Sequence, residues 1–308
     1  MVNKKIISLL PAATEIICGL GLEDQLVGRS HECNYPETVK KLPACTTSRI
    51  MGEMSSEEIN EQVVKSLYEA LSLYKVDRDL INSLGADIII TQDQCKVCAV
   101  SINDLEGALQ RDNGKEVEVI SLHPSVLEDI FVDIKRIGDQ TGVTARAELY
   151  VEDLRERIDL VKHKLRFVED RPSVACIEWL SPLMVAGNWT PELIGIAGGR
   201  PVLAEAGKHS PFVDFDQIKE QNPDIIIVAA CGFTIERTLS EIDVLLQLPG
   251  WGELEAVKNN KVYIADGDRY FNRSGPSVVD TIEMLAEIIQ PKQFVFGFEG
   301  KAWLRFGV

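Results

Sequence analysis

A chain of 308 residues with 45% apolar and 26% charged side chains is long enough for two ordinary domains, each burying its own core. Its formal net charge of -16 argues against non-specific attraction to nucleic acid or to an anionic membrane surface. Seven cysteines, at positions 18, 33, 45, 95, 98, 176 and 231, follow no disulfide-scaffold spacing, which argues against a small stapled fold and favours a reducing compartment. No stretch is apolar and long enough to span a bilayer. The opening apolar run, residues 6–22, follows Lys4 and Lys5 but contains Pro11, Thr14 and Glu15, so it reads as a strand and helix rather than an export signal. The expected location is cytoplasmic, with a periplasmic or other extracytoplasmic one as the alternative if a signal has been removed.

Residues 6–10 predict a short buried strand, which Pro11, Ala12, Ala13, Thr14 and Glu15 turn straight into a helix. That geometry offers backbone amides to a ligand at the carboxyl end of a parallel sheet, and it is equally that of an ordinary βα turn. Residues 26–28 predict a second strand, which delivers His31, Glu32, Cys33, Asn34, Tyr35 and Pro36. Ser55 and Glu58 form a capping-box pattern that predicts a helix through about residue 74. A shorter helix is expected over 79–84. Residues 87–91 read as a strand buried on both faces, followed by Gln92 and the pair Cys95 and Cys98. A strand over 117–122 and a helix over 125–139 complete the first half.

The next stretch organises the chain. Ala147, Val151, Leu154, Ile158, Val161, Leu165 and Val168 recur at alternating spacings of four and three, which predicts a helix over 144–168 with one apolar stripe. Arg171 and Pro172 end it, because proline lacks an amide and clashes with the preceding turn. At 1.5 Å per residue it would be roughly 35 Å long, enough for a strut. Beyond it come a strand over 173–177, a loop over 178–189 carrying Met184 and Trp189, and a helix restarted by Thr190, Pro191 and Glu192. Strands over 225–228 and 262–265 end in Cys231 to Phe233 and in Asp268 to Arg273 respectively. The last helix runs from Ser274 to about residue 289.

The two flanks repeat. Val76, Asp77, Asp79 and Ile81, then Asp87 with Ile88 to Ile90, return as Val213, Asp214, Asp216 and Ile218, then Asp224 with Ile225 to Ile227. Eight of fifteen aligned positions are identical. The expectation is an α/β fold of two similar lobes with parallel-sheet cores joined by one long rigid helix. Residues 1–143 form the first lobe, 144–168 the link and 169–308 the second lobe.

Ligands of open α/β sheets bind outside the carboxyl ends of the strands, and there this chain carries its unusual residues. No phosphate-cradling glycine loop, His-Glu-x-x-His or nucleophile elbow is present. Tyr35, Trp189, Phe233, Tyr270 and Phe271 are either core or the aromatic walls of a cleft between the lobes for a large flat ligand. Asp268 and Arg273 pair with each other or reach ligand amides. His31, Cys33, Cys95 and Cys98 would make a soft-metal site if their loops meet, and the two later cysteines are otherwise small buried residues of a βα loop. His123 and His163 read as structural or exposed, and His209 stays undecided.

The opening residues 8–15, the segment His31 to Pro36, the two Asp-Ile-Ile-Ile strands and the inter-lobe helix resemble the helical-backbone class of substrate-binding proteins of ABC importers, over about residues 5–290. The His-Glu-Cys and Gln-Asp-Gln-Cys-x-x-Cys elements are most similar to its cobalamin-binding branch. The resemblance implies binding of cobalamin or a related chelate, haem or a ferric siderophore, as a substrate-binding protein of an ABC importer or a cytoplasmic relative of one, without catalysis and with no required cofactor. It places ligand contacts at Pro11, Ala12, His31, Glu32, Tyr35, Gln92, Met184, Trp189, Asp268 and Arg273; the loop aromatics Phe233 and Tyr270 are added as candidate contacts from the residue reading, and His31 as a candidate ligand to the chelated metal. It implies permease docking through Asp79 and Asp216, where the cobalamin importer's binding protein carries Glu. No nucleic-acid partner and no membrane span are expected. The alternative is a metal-dependent or redox enzyme using His31, Cys33, Cys95 and Cys98.

Overall fold

The computed structural model describes residues 4–49, 54–68, 73–92 and 117–307. The chain divides into two compact units. Met1–Met54, Glu61–Pro124 and Glu128–Glu152 form one, while Ser55–Asn60, Ser125–Leu127 and Asp153–Val308 form the other.

The first unit carries β1 (Ile6–Ser8), α1 (Pro11–Gly19), β2 (Leu26–Arg29) and β3 (Thr46–Ser48); α2 (Ser56–Tyr68) is shared between the units, and β4 (Tyr74–Val76), α3 (Arg78–Leu84), β5 (Ile88–Gln92) and β6 (Glu118–Leu122) follow. Its sheet runs β2-β1-β5-β6, parallel throughout. Ile88, Ile89 and Ile90 are fully buried, as an apolar β-branched run between two parallel neighbours requires. The expected helix through residue 74 is corrected at its end. Tyr74, Lys75 and Val76 pair antiparallel with β3, because the β-branched run Thr46-Thr47 supplies a strand partner that the capping box could not reveal.

The connection into the second unit is made by α4 (Leu127–Thr141) and α5 (Thr144–Leu165), with Gly142 at φ 78° between them. A Cβ built on Gly138 would lie 2.3 Å from the Ala147 Cβ, so the absence of a side chain lets these helices meet closely. Every residue of the apolar stripe from Ala147 to Leu165 is buried. The helix stops at Leu165, short of the expected 168.

The second unit adds β7 (Ser173–Trp179), β8 (Met184–Val185), α6 (Thr190–Ile196), β9 (Arg200–Pro201), α7 (Phe215–Gln221), β10 (Ile225–Val228), β11 (Val262–Ala265), α8 (Val278–Ile289) and β12 (Trp303–Phe306). Its parallel strands run β9-β7-β10-β11. In both units, then, the first strand in sequence lies between the second and the third, and the fourth lies beyond the third. Two antiparallel strands, β8 and β12, are added in the second unit.

The repeated sequence folds alike in detail. Asp77 caps α3 by accepting from the Leu80 amide at 2.9 Å, and Asp214 opens α7 in a capping box with Gln217. Both helices end on a left-handed residue, Gly85 at φ 62° and Asn222 at φ 40°. Before each repeated strand an aspartate accepts the amide at the foot of the neighbouring strand: Asp87 from Lys5 at 2.9 Å and Asp224 from Ser173 at 2.7 Å.

Candidate functional site

In the first unit, β1 passes through Leu9 and Leu10 directly into α1 with Pro11 in its first turn. The Ser8 hydroxyl, fully buried, accepts from Thr14 Oγ1 at 2.8 Å and donates to the Leu10 carbonyl at 3.0 Å. This local bonding fixes the turn that carries Pro11 and Ala12. At the end of the central strand β5, Gln92 is buried.

β2 ends at Arg29, and the following loop is held by the strand pair β3–β4. Thr46 Oγ1 accepts the His31 amide at 3.0 Å and lies 2.8 Å from His31 Nδ1. The Tyr74 hydroxyl donates to Glu32 Oε1 at 2.9 Å, and its ring sits 5.4 Å from that of His31. Burial, and next the Arg29 guanidinium, holds the His31 imidazole below its ordinary pKa, which favours the neutral ring at pH 7. Tyr35 is exposed. Cys33 is fully buried and its thiol donates to the Ser8 carbonyl, so its immediate role is to pin the loop to β1. Cys95 and Cys98 lie outside the described residues, and among the described residues no three His, Cys, Asp or Glu side chains converge as a metal site.

In the second unit, the segment after β11 folds against the turn after β10. The Phe233 carbonyl accepts the amides of Gly267 and Asp268 at 3.0 and 3.1 Å. A Cβ on Gly267 would meet the Ala230 carbonyl at 2.0 Å, so this contact needs glycine. The Asp266 carboxylate accepts the Asp268 and Arg269 amides at 3.0 and 2.9 Å, while burial pushes its pKa up. Arg273, buried, donates through Nε to the Asp268 carbonyl at 2.7 Å and reaches the Asp268 carboxylate at 3.4 Å. The mutual pairing of these two residues is therefore the arrangement observed. The Trp189 indole donates to the Phe271 carbonyl at 3.1 Å. Trp189 at 7% exposure, Phe233 and Phe271 are buried, whereas Tyr270 keeps part of its ring accessible. Met184 pairs with Trp179, whose ring packs 5.3 Å from Phe233.

Each unit thus gathers its own share of the expected residues at the carboxyl ends of its parallel strands. Asp79 and Asp216 stand apart from those loops, exposed in the first turns of α3 and α7. Asp216 pairs with Lys219 at 2.6 Å. His123 is exposed, and His209 Nδ1 lies 3.0 Å from the Ser210 carbonyl. Sequence reasoning missed Thr46 and Tyr74, which orient His31 and Glu32. The β-branched run at Thr46 and Thr47 was the available signal.

Among the described residues no helix is long and apolar enough to cross a membrane. The periplasmic binding protein family matches residues 6–268. The chain is 25% identical over 296 residues to the ABC transporter substrate-binding lipoprotein YvrC of Bacillus subtilis (strain 168), covering 94% of this chain and 81% of that protein. It is 24% identical over 286 residues to the vitamin B12-binding protein of Vibrio parahaemolyticus, covering 92% and 88%. Its fold is similar to that of a periplasmic heme-binding protein from Pseudomonas aeruginosa, with a TM-score of 0.68, 20% identity and 94% of each chain covered. With the family matched along most of its length, the chain belongs to the periplasmic binding proteins, and it is a binding protein rather than the metal-dependent or redox enzyme considered as the alternative.

Proposed function

We propose that this protein binds cobalamin or a related metal chelate as the substrate-binding component of an ABC importer, with the loops at the carboxyl ends of both parallel sheets supplying the contacts. The observation that carries the reading is the placement of Pro11, Ala12, His31, Glu32, Tyr35 and Gln92 at those ends of one sheet, and of Met184, Phe233, Asp268, Tyr270 and Arg273 at those of the other, in a chain resembling a vitamin B12-binding protein over 92% of its length. Partly accessible aromatic and polar groups suit a large flat ligand with an amide-bearing rim. Titration of the protein with cobalamin and ferric haem, followed by tryptophan fluorescence, is the test. Saturable one-to-one quenching by either supports the reading, and no binding of either or of a ferric siderophore ends it.

Asp79 and Asp216 are proposed to dock onto basic residues of the permease. Their matched, exposed positions in duplicated helices suit a partner that meets both. Charge reversal at both should leave chelate affinity unchanged while abolishing importer-stimulated ATP hydrolysis. An importer role implies a working site outside the cytoplasmic membrane, and cell fractionation tests that against the cytoplasmic location expected from the sequence.

A further inference from the structure

Three large apolar side chains that the fold leaves exposed stand in one row. Leu149, Leu160 and Phe167 are 62, 54 and 79% exposed. The first two lie on α5, and their separation along a helix of 3.6 residues per turn brings them within about 20° of the same face. Phe167 comes two turns later, where the Val168 amide still donates to the Leu165 carbonyl at 3.0 Å and carries the last turn past the helix end. This row is on the side opposite the buried stripe from Ala147 to Leu165.

The exposed charges of α5 sort by sign along its length. Glu148, Glu152, Asp153, Glu156 and Asp159, interrupted by Arg155, occupy the first part, and Lys162, His163, Lys164 and Arg166 the end. Arg157 is engaged by Glu283 and Asp280 of α8. The basic end suits the helix macrodipole, whose influence is confined to the terminal turns. The acidic part does not, since no acid stands in the first turn. Glu148, Glu152 and Glu156 instead succeed one another at four-residue spacing, where like charges repel, and Lys162 and Arg166 do the same. Within the chain the basic end makes only surface contacts: Lys162 lies 3.8 Å from Asp159, and Lys164 lies over the Phe294 ring.

A second copy turned end for end answers both features. Positions 149, 153, 156, 160, 163 and 167 alternate in spacings of four and three, the seam of two helices packed lengthwise. In an antiparallel pair centred beside Ile158, Leu149 meets Phe167 of the second copy, Asp153 meets His163, Glu156 meets Leu160, and Glu152 faces Arg166. A parallel pair would set acids against acids and bases against bases.

We propose that the exposed face of α5 is a two-fold dimer interface, and that its occupant is a second copy of this chain in antiparallel register. The interface has few apolar side chains and belongs to the small, transient class, so its charges govern encounter and orientation more than strength. The inference uses no residue assigned to chelate binding or to the permease contact.

The test is sedimentation velocity of the whole chain over a concentration series in low and high salt. Dimerisation in low salt that weakens as salt is raised supports the proposal. The double variants Glu152→Lys with Glu156→Lys, and Lys164→Glu with Arg166→Glu, should each weaken self-association by at least about 10-fold, because like charges then meet across the pair. An equimolar mixture of the two should dimerise again. Leu149→Cys and Phe167→Cys in separate chains should cross-link to each other faster than either does to itself, read by mass spectrometry of the joined peptides. Circular dichroism checks that each variant folds; should a double variant fail, Glu156→Lys or Lys164→Glu alone replaces it. A monomer at every soluble concentration, a dimer indifferent to salt or to either reversal, a mixture that stays monomeric, or cross-linking of Leu149→Cys chiefly to itself overturns the proposal.

Discussion

Glu287 is a buried carboxylate on α8 that accepts the amides of Phe296, Gly297 and Phe298 at 3.1, 2.9 and 3.1 Å, and the Trp303 indole at 3.2 Å. A carboxylate acceptor serving several donors is worth more than a neutral one, and removing it leaves the buried Trp303 indole unsatisfied and frees three part-buried amides to water. Glu287→Ala should lower unfolding stability by roughly 3 kcal/mol, read from urea denaturation midpoints. Asp133, on α4, works in the opposite sense. Burial pushes its carboxyl up to about 6, against the pull of Arg136 and His123. Its pKa when unfolded is about 3.9. Between these values the folded state holds the proton more tightly, so Asp133 lowers stability as pH rises from 4 to 6, and the full penalty persists above that. Asp133→Asn should therefore flatten this stretch of the stability-pH curve and gain about 2 kcal/mol at pH 7 relative to pH 4.

The helix α5 was readable because its pattern is periodic and its burial follows the period. Leu154 lies on the stripe at 4% exposure and Leu160 lies off it at 54%. Leu154→Ala should cost roughly 2 to 4 kcal/mol through lost burial and a residual cavity. Leu160→Ala should stay within about 0.5 kcal/mol, and denaturant titration of the pair compares them directly. Arg157, which the sequence presented only as one of many charges, donates to Glu283 Oε2 at 2.6 Å and Asp280 Oδ1 at 2.7 Å on α8. No spacing rule links residues that far apart in the chain. The same reason hid the β3–β4 pair. Thr46 to Ser48 and Tyr74 to Val76 each look like loop or helix end until the other is brought alongside. The burial of Trp189 and Phe233 was equally illegible, since an aromatic ring beside polar residues reads the same whether it faces a ligand or a neighbouring strand.

At the scale of the molecule, internal repetition carried the most information. A duplicated Asp-Ile-Ile-Ile strand announced two parallel sheets, and the structure gives both the same strand order. What repetition could not convey was where the copies diverge. The second unit alone adds β12, whose residues Trp303 to Phe306 pair antiparallel with β11. Four residues near the end of the chain are too few for periodicity to speak.

That added strand has a consequence for how the protein behaves in a crowded compartment. Without it, β11 would present a row of unpaired amides and carbonyls on an apolar strand, a template on which another chain can grow. Deleting residues 299–308 should turn a monodisperse preparation into one that forms soluble oligomers and then precipitates, visible by light scattering before any loss of helical signal. In the folded protein β12 covers that edge.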